Sequence, residues 1–166
     1  METISRYKDD HDAKAVAHFM IKIGVPIMQP LKGPVRFVYD NHILWSAAHE
    51  LQLLSDKCAH AYKVGLKSDE RLMRMRLILG ELSELSAALM KDDEVETTDA
   101  LADLNYVMCG TAITFDLPWT KAFDEVHKSN MSKDNVVKHE DGVNGKGLNY
   151  FKPDLEKVIA IHRGEQ

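Results

Sequence analysis

Apolar residues recur every three or four positions along most of the chain, which is the pattern of amphipathic helices. The pattern predicts five long helices and one short C-terminal helix, over residues 10–23, 42–64, 68–90, 95–115, 119–128 and 154–161. No strand pattern of any length lies between them. The chain is therefore predicted to be all-α, an antiparallel helical bundle whose long helices can complete their core in a partner.

Loops and short pieces are predicted between the helices. Residues 25–34 contain three prolines and a glycine, which exclude a helix interior and predict a loop. A short extended piece is expected at residues 35–39, followed by Asp40 or Asn41 as the cap of the second helix. The polar, glycine-containing residues 131–153 predict a C-terminal loop. We expect one domain over residues 1–166.

The third predicted helix is apolar around most of its circumference, so we expect it to pack on several sides as the central helix. Five acids interrupt this helix and the next. Glu81 and Glu84 share one face, and the second helix carries a stripe of Glu96, Asp99 and Asp103 whose first and last members are about 20° apart. Because carboxylates among apolar neighbours are rarely buried unless paired, the pattern predicts buried acids that need a cation.

A short acidic link, residues 91–94, joins these two helices, and we interpret its own acids as solvated. A link of that length predicts an antiparallel hairpin, in which the glutamate pair and the acid stripe face each other. Oxygen-only ligands suit hard cations such as Mg²⁺ or Mn²⁺. The sequence therefore predicts a divalent metal site on this hairpin.

Composition narrows the class of protein. Hydrophobic residues make up 45% of the chain and charged residues 28%, as in soluble globular proteins, and the net charge of −5 argues against binding of nucleic acid. Only Cys58 and Cys109 are present, so a disulfide scaffold is not expected and a reducing, cytoplasmic location is. No apolar run approaches a membrane span, and the first residues lack a signal-peptide core. We expect a small ligand as the partner, and no membrane.

The spacing Glu81-x-x-Glu84 followed by Glu96-x-x-Asp99 resembles the ExxE and ExxD signature of the all-alpha nucleoside triphosphate pyrophosphohydrolases. That superfamily includes MazG, the dimeric dUTPases and phosphoribosyl-ATP pyrophosphohydrolase. Residues 98–106 and 125–133 resemble its MazG-like branch of bacteria and phages. Two features depart from the family: Gly80 stands where an acid is common, and residues 31–70 form a lengthened loop and helix. Either Asp99 or Asp103 matches the family aspartate.

The resemblance implies a function and a set of site residues. The activity would be metal-dependent hydrolysis of a (d)NTP to a (d)NMP and pyrophosphate, for example purine-directed hydrolysis of (d)GTP that controls a phage nucleotide pool. The protein would be a cytoplasmic homodimer or homotetramer of a bacterial or phage-infected cell. Glu81 and Glu84 would be catalytic. The expected ligands of Mg²⁺ or Mn²⁺ are Glu81, Glu84, Glu96, Asp99 and Asp103, and the expected substrate contacts are Asn130, Lys133, Lys128 and Tyr150.

Two other classes remain compatible with the pattern. A carboxylate-bridged di-metal bundle normally carries Glu-x-x-His pairs, and the chain has only the partial echo Asp124-x-x-His127. A catalytically silent helical interaction protein is favoured slightly by Gly80. Release of pyrophosphate from nucleotides separates both classes from the enzyme.

Overall fold

The computed structural model describes residues 9–24, 27, 31, 38–66, 69–133 and 146–165. These residues contain six α-helices and no strand, so the all-α prediction is confirmed. In chain order the helices are α1 (His11–Lys22), α2 (Val38–Ala61), α3 (Glu70–Lys91), α4 (Glu94–Thr114), α5 (Trp119–Met131) and α6 (Leu155–Arg163), and a π-helical turn, Tyr62–Leu66, follows α2.

Aspartates fix the beginnings of four helices. The side chains of Asp10, Asp69, Asp93 and Asp154 each accept a hydrogen bond from a backbone N–H of the first turn that follows. Those N–H groups have no partner within the helix, and a negative charge near them is favoured by the helix dipole. In most helices the first and last residues lie within a few residues of the predicted ones.

The beginning of α2 is the main difference from the prediction. The helix starts at Val38, so residues 38 and 39 are helical, and Asp40 and Asn41 lie inside the helix instead of at the position before it. Valine and tyrosine favour strands only weakly and are tolerated in helices, so a periodic pattern that continues can override them. Residues 35–37 of the predicted extended piece and most of the predicted loops at 25–34 and 131–153 lie outside the described residues.

Contacts between Cα atoms divide the chain into two compact units, residues 30–116 and residues 1–29 with 117–166. The first contains α2, α3 and α4, and the second contains α1, α5 and α6. A single domain over residues 1–166 stays a prediction. The acids predicted to bind metal all belong to the first unit, and the residues predicted to bind substrate belong to the second.

In the first unit α3 packs on both α2 and α4, which confirms it as the central helix. Small residues join α2 to α3. Ser55 Oγ donates to the carbonyl of Arg76, and Ser83 Oγ donates to the carbonyl of Ala48, at 2.9 and 2.8 Å. Both serines are buried. Their short side chains let the two helix backbones approach closely, while α4 contacts mainly α3 and keeps an open outer side.

In the second unit α5 packs on α1 and on α6. The Nζ of Lys22, the last residue of α1, donates to the carbonyl of Met131, the last residue of α5. In the described ranges, every helix is too short or too polar to cross a membrane.

Candidate functional site

The chain reverses its direction between α3 and α4 within two residues. Asp92 takes the left-handed conformation, with φ of 57°, and Asp93 then caps α4 by accepting hydrogen bonds from the N–H groups of Val95 and Glu96. Aspartate is one of the few residues that adopt positive φ readily. The acids of the link therefore shape the turn, and the two helices run antiparallel side by side, as predicted.

This hairpin brings four of the predicted acids into electrostatic contact. The pKa of Glu81 is raised above its usual range, first by partial burial and then by the negative charges of Glu84, Asp103 and Asp99. Glu84 lies one turn further along α3, and the two aspartates lie on α4. The glutamate pair and the aspartates thus face the same groove between the helices, and we name it the acid groove: Glu81, Glu84, Asp99 and Asp103, with Glu96 at its end.

Glu96 joins the acid groove through a small cleft. The cleft has a volume of about 140 Å³ and is lined by Glu84, Glu96, Asp99 and Lys91, together with alanines of both helices. Its size admits a hydrated ion or a phosphate group but not a nucleotide. Carboxylates from both helices therefore converge on one small space near the turn.

The acids are less buried than the sequence suggested. Glu81 is half-buried, whereas Glu84, Glu96, Asp99 and Asp103 are exposed. The expectation of buried acids was wrong because the periodic pattern does not reveal that α4 packs mainly on one helix, which leaves the groove open on its outer side. The like charges still repel one another, as the raised pKa of Glu81 shows.

None of the five carboxylates has a hydrogen bond or an ion pair with another side chain in the part of the chain that the structure describes. In the same ranges, no group of three or more His, Cys, Asp or Glu side chains is arranged to hold a metal ion. The donor set nevertheless fits a hard cation, since it is made only of carboxylate oxygens that lack other partners. Exposed side chains change rotamer within nanoseconds, so closer convergence needs no movement of the backbone.

The predicted substrate residues surround the end of α5. This helix continues beyond its predicted end at residue 128 to Met131, which places Asn130 within its last turn and Lys133 just after it. Lys133 is half-buried, with its Nζ 5.5 Å from the centre of the Phe19 ring. Lys128 is exposed, and its Nζ lies 3.4 Å from Glu125 Oε2. Their role in substrate binding stays a prediction.

Tyr150 is half-buried in the segment before α6, and the Nζ of Lys146 lies 4.9 Å from the centre of its ring. This contact is a cation–π interaction with the face of the ring. The role of Tyr150 in holding a base likewise stays a prediction.

Three residues that the sequence analysis missed hold this C-terminal segment. Ser129 Oγ donates to the carbonyl of Phe151 at 2.7 Å, and Ser132 Oγ accepts from the N–H of Phe151 at 3.1 Å. Glu125 Oε1 accepts from the N–H of Asp154 at 3.2 Å. We name Glu125, Ser129 and Ser132 the serine clamp. Their spacing of four and three residues, on one face of α5, was the available signal.

Comparison with known proteins agrees with this geometry. Residues 52–130 match the family model described as phosphoribosyl-ATP pyrophosphohydrolase. The matched range includes all five acids of the acid groove and ends at Asn130. No match is found among curated proteins or among solved structures. Residues 52–130 therefore form a domain of the phosphoribosyl-ATP pyrophosphohydrolase family, within the MazG-like all-alpha nucleoside triphosphate pyrophosphohydrolase superfamily.

Proposed function

We propose that this protein is a divalent-metal-dependent pyrophosphohydrolase that cleaves a (d)NTP between its α and β phosphates. The observation that carries the proposal is the acid groove: carboxylates from two helices, without partners among the described residues, lie inside the range that matches a pyrophosphohydrolase family. Like charges held close together on two facing helices repel one another, so they indicate a ligand of opposite charge.

Mg²⁺ or Mn²⁺ would be held by Glu81, Glu84, Asp99 and Asp103, with Glu96 at the end of the groove, and would supply charge neutralisation of the phosphates and a more acidic water. The acid that does not bind the ion directly can orient the attacking water and accept its proton. We propose Glu81 for that role, in which case Glu84, Asp99 and Asp103 would hold the ion; partial burial raises the pKa of Glu81 and makes its carboxylate a stronger proton acceptor than an ordinary glutamate. The water oxygen bonds to the α phosphorus, and the bridging oxygen leaves with pyrophosphate.

For the substrate, we propose that Asn130 and Lys133, with Lys128, bind phosphate oxygens and that Tyr150 stacks on the base. An amide and an ammonium offer the donors that phosphate needs, and an aromatic ring offers a flat apolar surface. A purine nucleotide such as (d)GTP, in the cytoplasm of a bacterial or phage-infected cell, is the substrate class we propose. Nucleic acid and membrane have no part in this proposal.

We also propose a homodimer or homotetramer. On the outer side of α4, Val95, Tyr106 and Ile113 share one face, since their separations of eleven and seven residues leave them within about 20° of each other. They are 76%, 80% and 81% exposed. Apolar side chains so exposed on one face are typical of an interface. A second copy seated on this face would close the open side of the acid groove.

The test is release of pyrophosphate from each common NTP and dNTP, with Mg²⁺, with Mn²⁺ and with a chelator. We expect release with at least one nucleotide, only when metal is present, together with the matching monophosphate. Absence of pyrophosphate across the whole panel contradicts the enzyme. Release of single phosphates without pyrophosphate contradicts cleavage at the α–β bond.

A further inference from the structure

Arg74, in the first half of α3, is a charged residue near the acid groove that the proposed function leaves unused. The residue is half-buried, and its Nε is shielded from solvent and has no hydrogen-bond partner among the described residues. A buried N–H of a cation without an acceptor is costly, and native structures rarely leave one unpaired. A polar ligand for this guanidinium is therefore missing from the isolated chain.

Gly110 of α4 makes room for this guanidinium. A Cβ at position 110 would lie 3.0 Å from Nη1 of Arg74, closer than side chains normally approach. Gly110 has no positive φ that would require glycine, and glycine inside a helix costs about 1 kcal/mol relative to alanine. The helix thus carries a destabilising residue where the arginine needs space.

The helical register places this pair in the acid groove. Arg74 precedes Glu81 by seven residues and Gly110 follows Asp103 by seven, so each lies on the same face as its acid and about 10 Å along the helix axis. Because the hairpin is antiparallel, both displacements run the same way, away from the turn. One groove therefore carries negative charge near the turn and a guanidinium two helical turns further along.

We propose that Arg74 binds the β and γ phosphates of the substrate, the part that leaves as pyrophosphate. This inference rests on the proposed function. The planar guanidinium fork donates to two phosphate oxygens, and these oxygens supply the acceptors that Arg74 lacks among the described residues. A metal held by the acids would neutralise the phosphate charge at one end of the groove, and Arg74 would neutralise it at the other. When the α–β bond breaks, the negative charge that stays on pyrophosphate lies beside the arginine.

Calorimetric titration with inorganic pyrophosphate in Mg²⁺ buffer tests the proposal. We expect Arg74→Ala to weaken pyrophosphate binding by roughly ten- to a hundredfold, the value of a hydrogen-bonded charge pair. The pyrophosphate affinity of Arg74→Lys should lie between those of the wild type and Arg74→Ala, because lysine keeps the positive charge but lacks the planar guanidinium fork. Gly110→Ala should also weaken binding, because its methyl group displaces the guanidinium.

Two controls separate phosphate binding from a structural role. Arg76→Ala removes the same charge from an exposed position on another face of α3 and should leave pyrophosphate binding unchanged. Binding of dGMP, which lacks the β and γ phosphates, should be the same in the wild type and in all four variants. Circular dichroism tests whether each variant is folded. If Arg74→Ala does not fold, the pyrophosphate affinities of Arg74→Lys and Gly110→Ala decide whether Arg74 binds phosphate.

Unchanged pyrophosphate affinity in folded Arg74 variants overturns the proposal, and so does an equal loss of dGMP binding. A changed sedimentation coefficient with unchanged pyrophosphate affinity overturns it too, and indicates that Arg74 pairs with a carboxylate of a second copy. These results are distinct from failure of the enzyme: a wild type that releases no pyrophosphate from any nucleotide contradicts the proposed function, while the pyrophosphate titration still decides the role of Arg74.

Discussion

The acid groove and the serine clamp are both polar faces of helices, but they differ in how their polar groups are satisfied. In the serine clamp, Ser129, Ser132 and Glu125 each hydrogen-bond the backbone of the segment before α6. In the acid groove, no carboxylate has such a partner among the described residues, and partial burial together with the neighbouring negative charges raises the pKa of Glu81. Satisfied groups maintain structure, whereas unsatisfied like charges indicate a site for a ligand.

The largest effect is expected in the acid groove. Glu84→Gln keeps the shape of the side chain but removes one negative charge, and we expect it to lower pyrophosphate release by more than about a hundredfold, since even outer partners of metal ligands account for 10–100-fold. Steady-state rates measure the loss. Glu94→Gln is the matched control, an exposed acid at the start of α4, and should retain activity. Full activity of folded Glu84→Gln would remove Glu84 from the catalytic set.

A large effect on stability is expected in the serine clamp. Ser129 is only 3% exposed, so Ser129→Ala leaves the carbonyl of Phe151 without its donor. We expect the free energy of unfolding to fall by about 1–3 kcal/mol, measured by chemical denaturation. Thr120→Ala, exposed on the same helix, should change it little. If the two variants are equally stable, the clamp is not structural and the comparison fails.

A smaller effect on stability, with no effect on activity, is expected when Gly80 is replaced by alanine. A Cβ at position 80 meets only Ser55 Oγ, at 3.9 Å, so alanine fits between α2 and α3. Gly80→Ala should raise the free energy of unfolding by about 1 kcal/mol, the difference in helix propensity, without changing activity. Thermal denaturation and pyrophosphate release measure the two properties. A loss of activity would show that position 80 serves the chemistry after all.

The smallest effect is expected for Glu81→Gln, which should stabilise the protein, whereas Ser129→Ala should destabilise it. Because the folded protein holds the proton of Glu81 more tightly than the unfolded chain, this carboxyl contributes stability at acid pH that is lost as pH rises from its unfolded pKa through its raised folded pKa. In a chelator at neutral pH, Glu81→Gln should therefore be more stable than the wild type, by about 0.2–0.5 kcal/mol for one relieved like-charge pair.

The same variant should lose its response to Mg²⁺. Mg²⁺ should raise the melting temperature of the wild type, because the ion binds the folded state and relieves the repulsion, and should raise that of Glu81→Gln less. A decrease in stability of Glu81→Gln in chelator, with an unchanged response to Mg²⁺, would show that the groove carries no electrostatic strain.

Most of the fold follows from periodicity, because an amphipathic helix leaves its spacing in the sequence whatever its partner is. The short link predicted at residues 91–94 and the spacing of Glu81, Glu84, Asp99 and Asp103 were enough to predict that these acids meet. Their exposure was not predictable, since it depends on how many helices cover α4. The early start of α2 was missed because Val38 and Tyr39 are residue types enriched in strands, although that preference is weak enough for a helix to override it.

The functional and structural residues that the sequence analysis did not predict were missed for the same reason. Ser129, Ser132 and Arg74 look like ordinary solvated positions on a helix, and only the three-dimensional structure reveals a backbone segment beside the serines and Gly110 beside the arginine. The sequence alone does not indicate whether a polar residue in a helix has a hydrogen-bond partner.

The most direct test of the central claim is binding of Mn²⁺, measured by electron paramagnetic resonance, because bound Mn²⁺ loses the sharp signal of the free ion. We predict that the wild type removes this signal in a saturable way, that Mg²⁺ restores it by competition, and that the double variant Glu84→Gln, Asp99→Asn leaves it almost unchanged. Equal binding by the folded double variant would contradict the acid groove as the metal site.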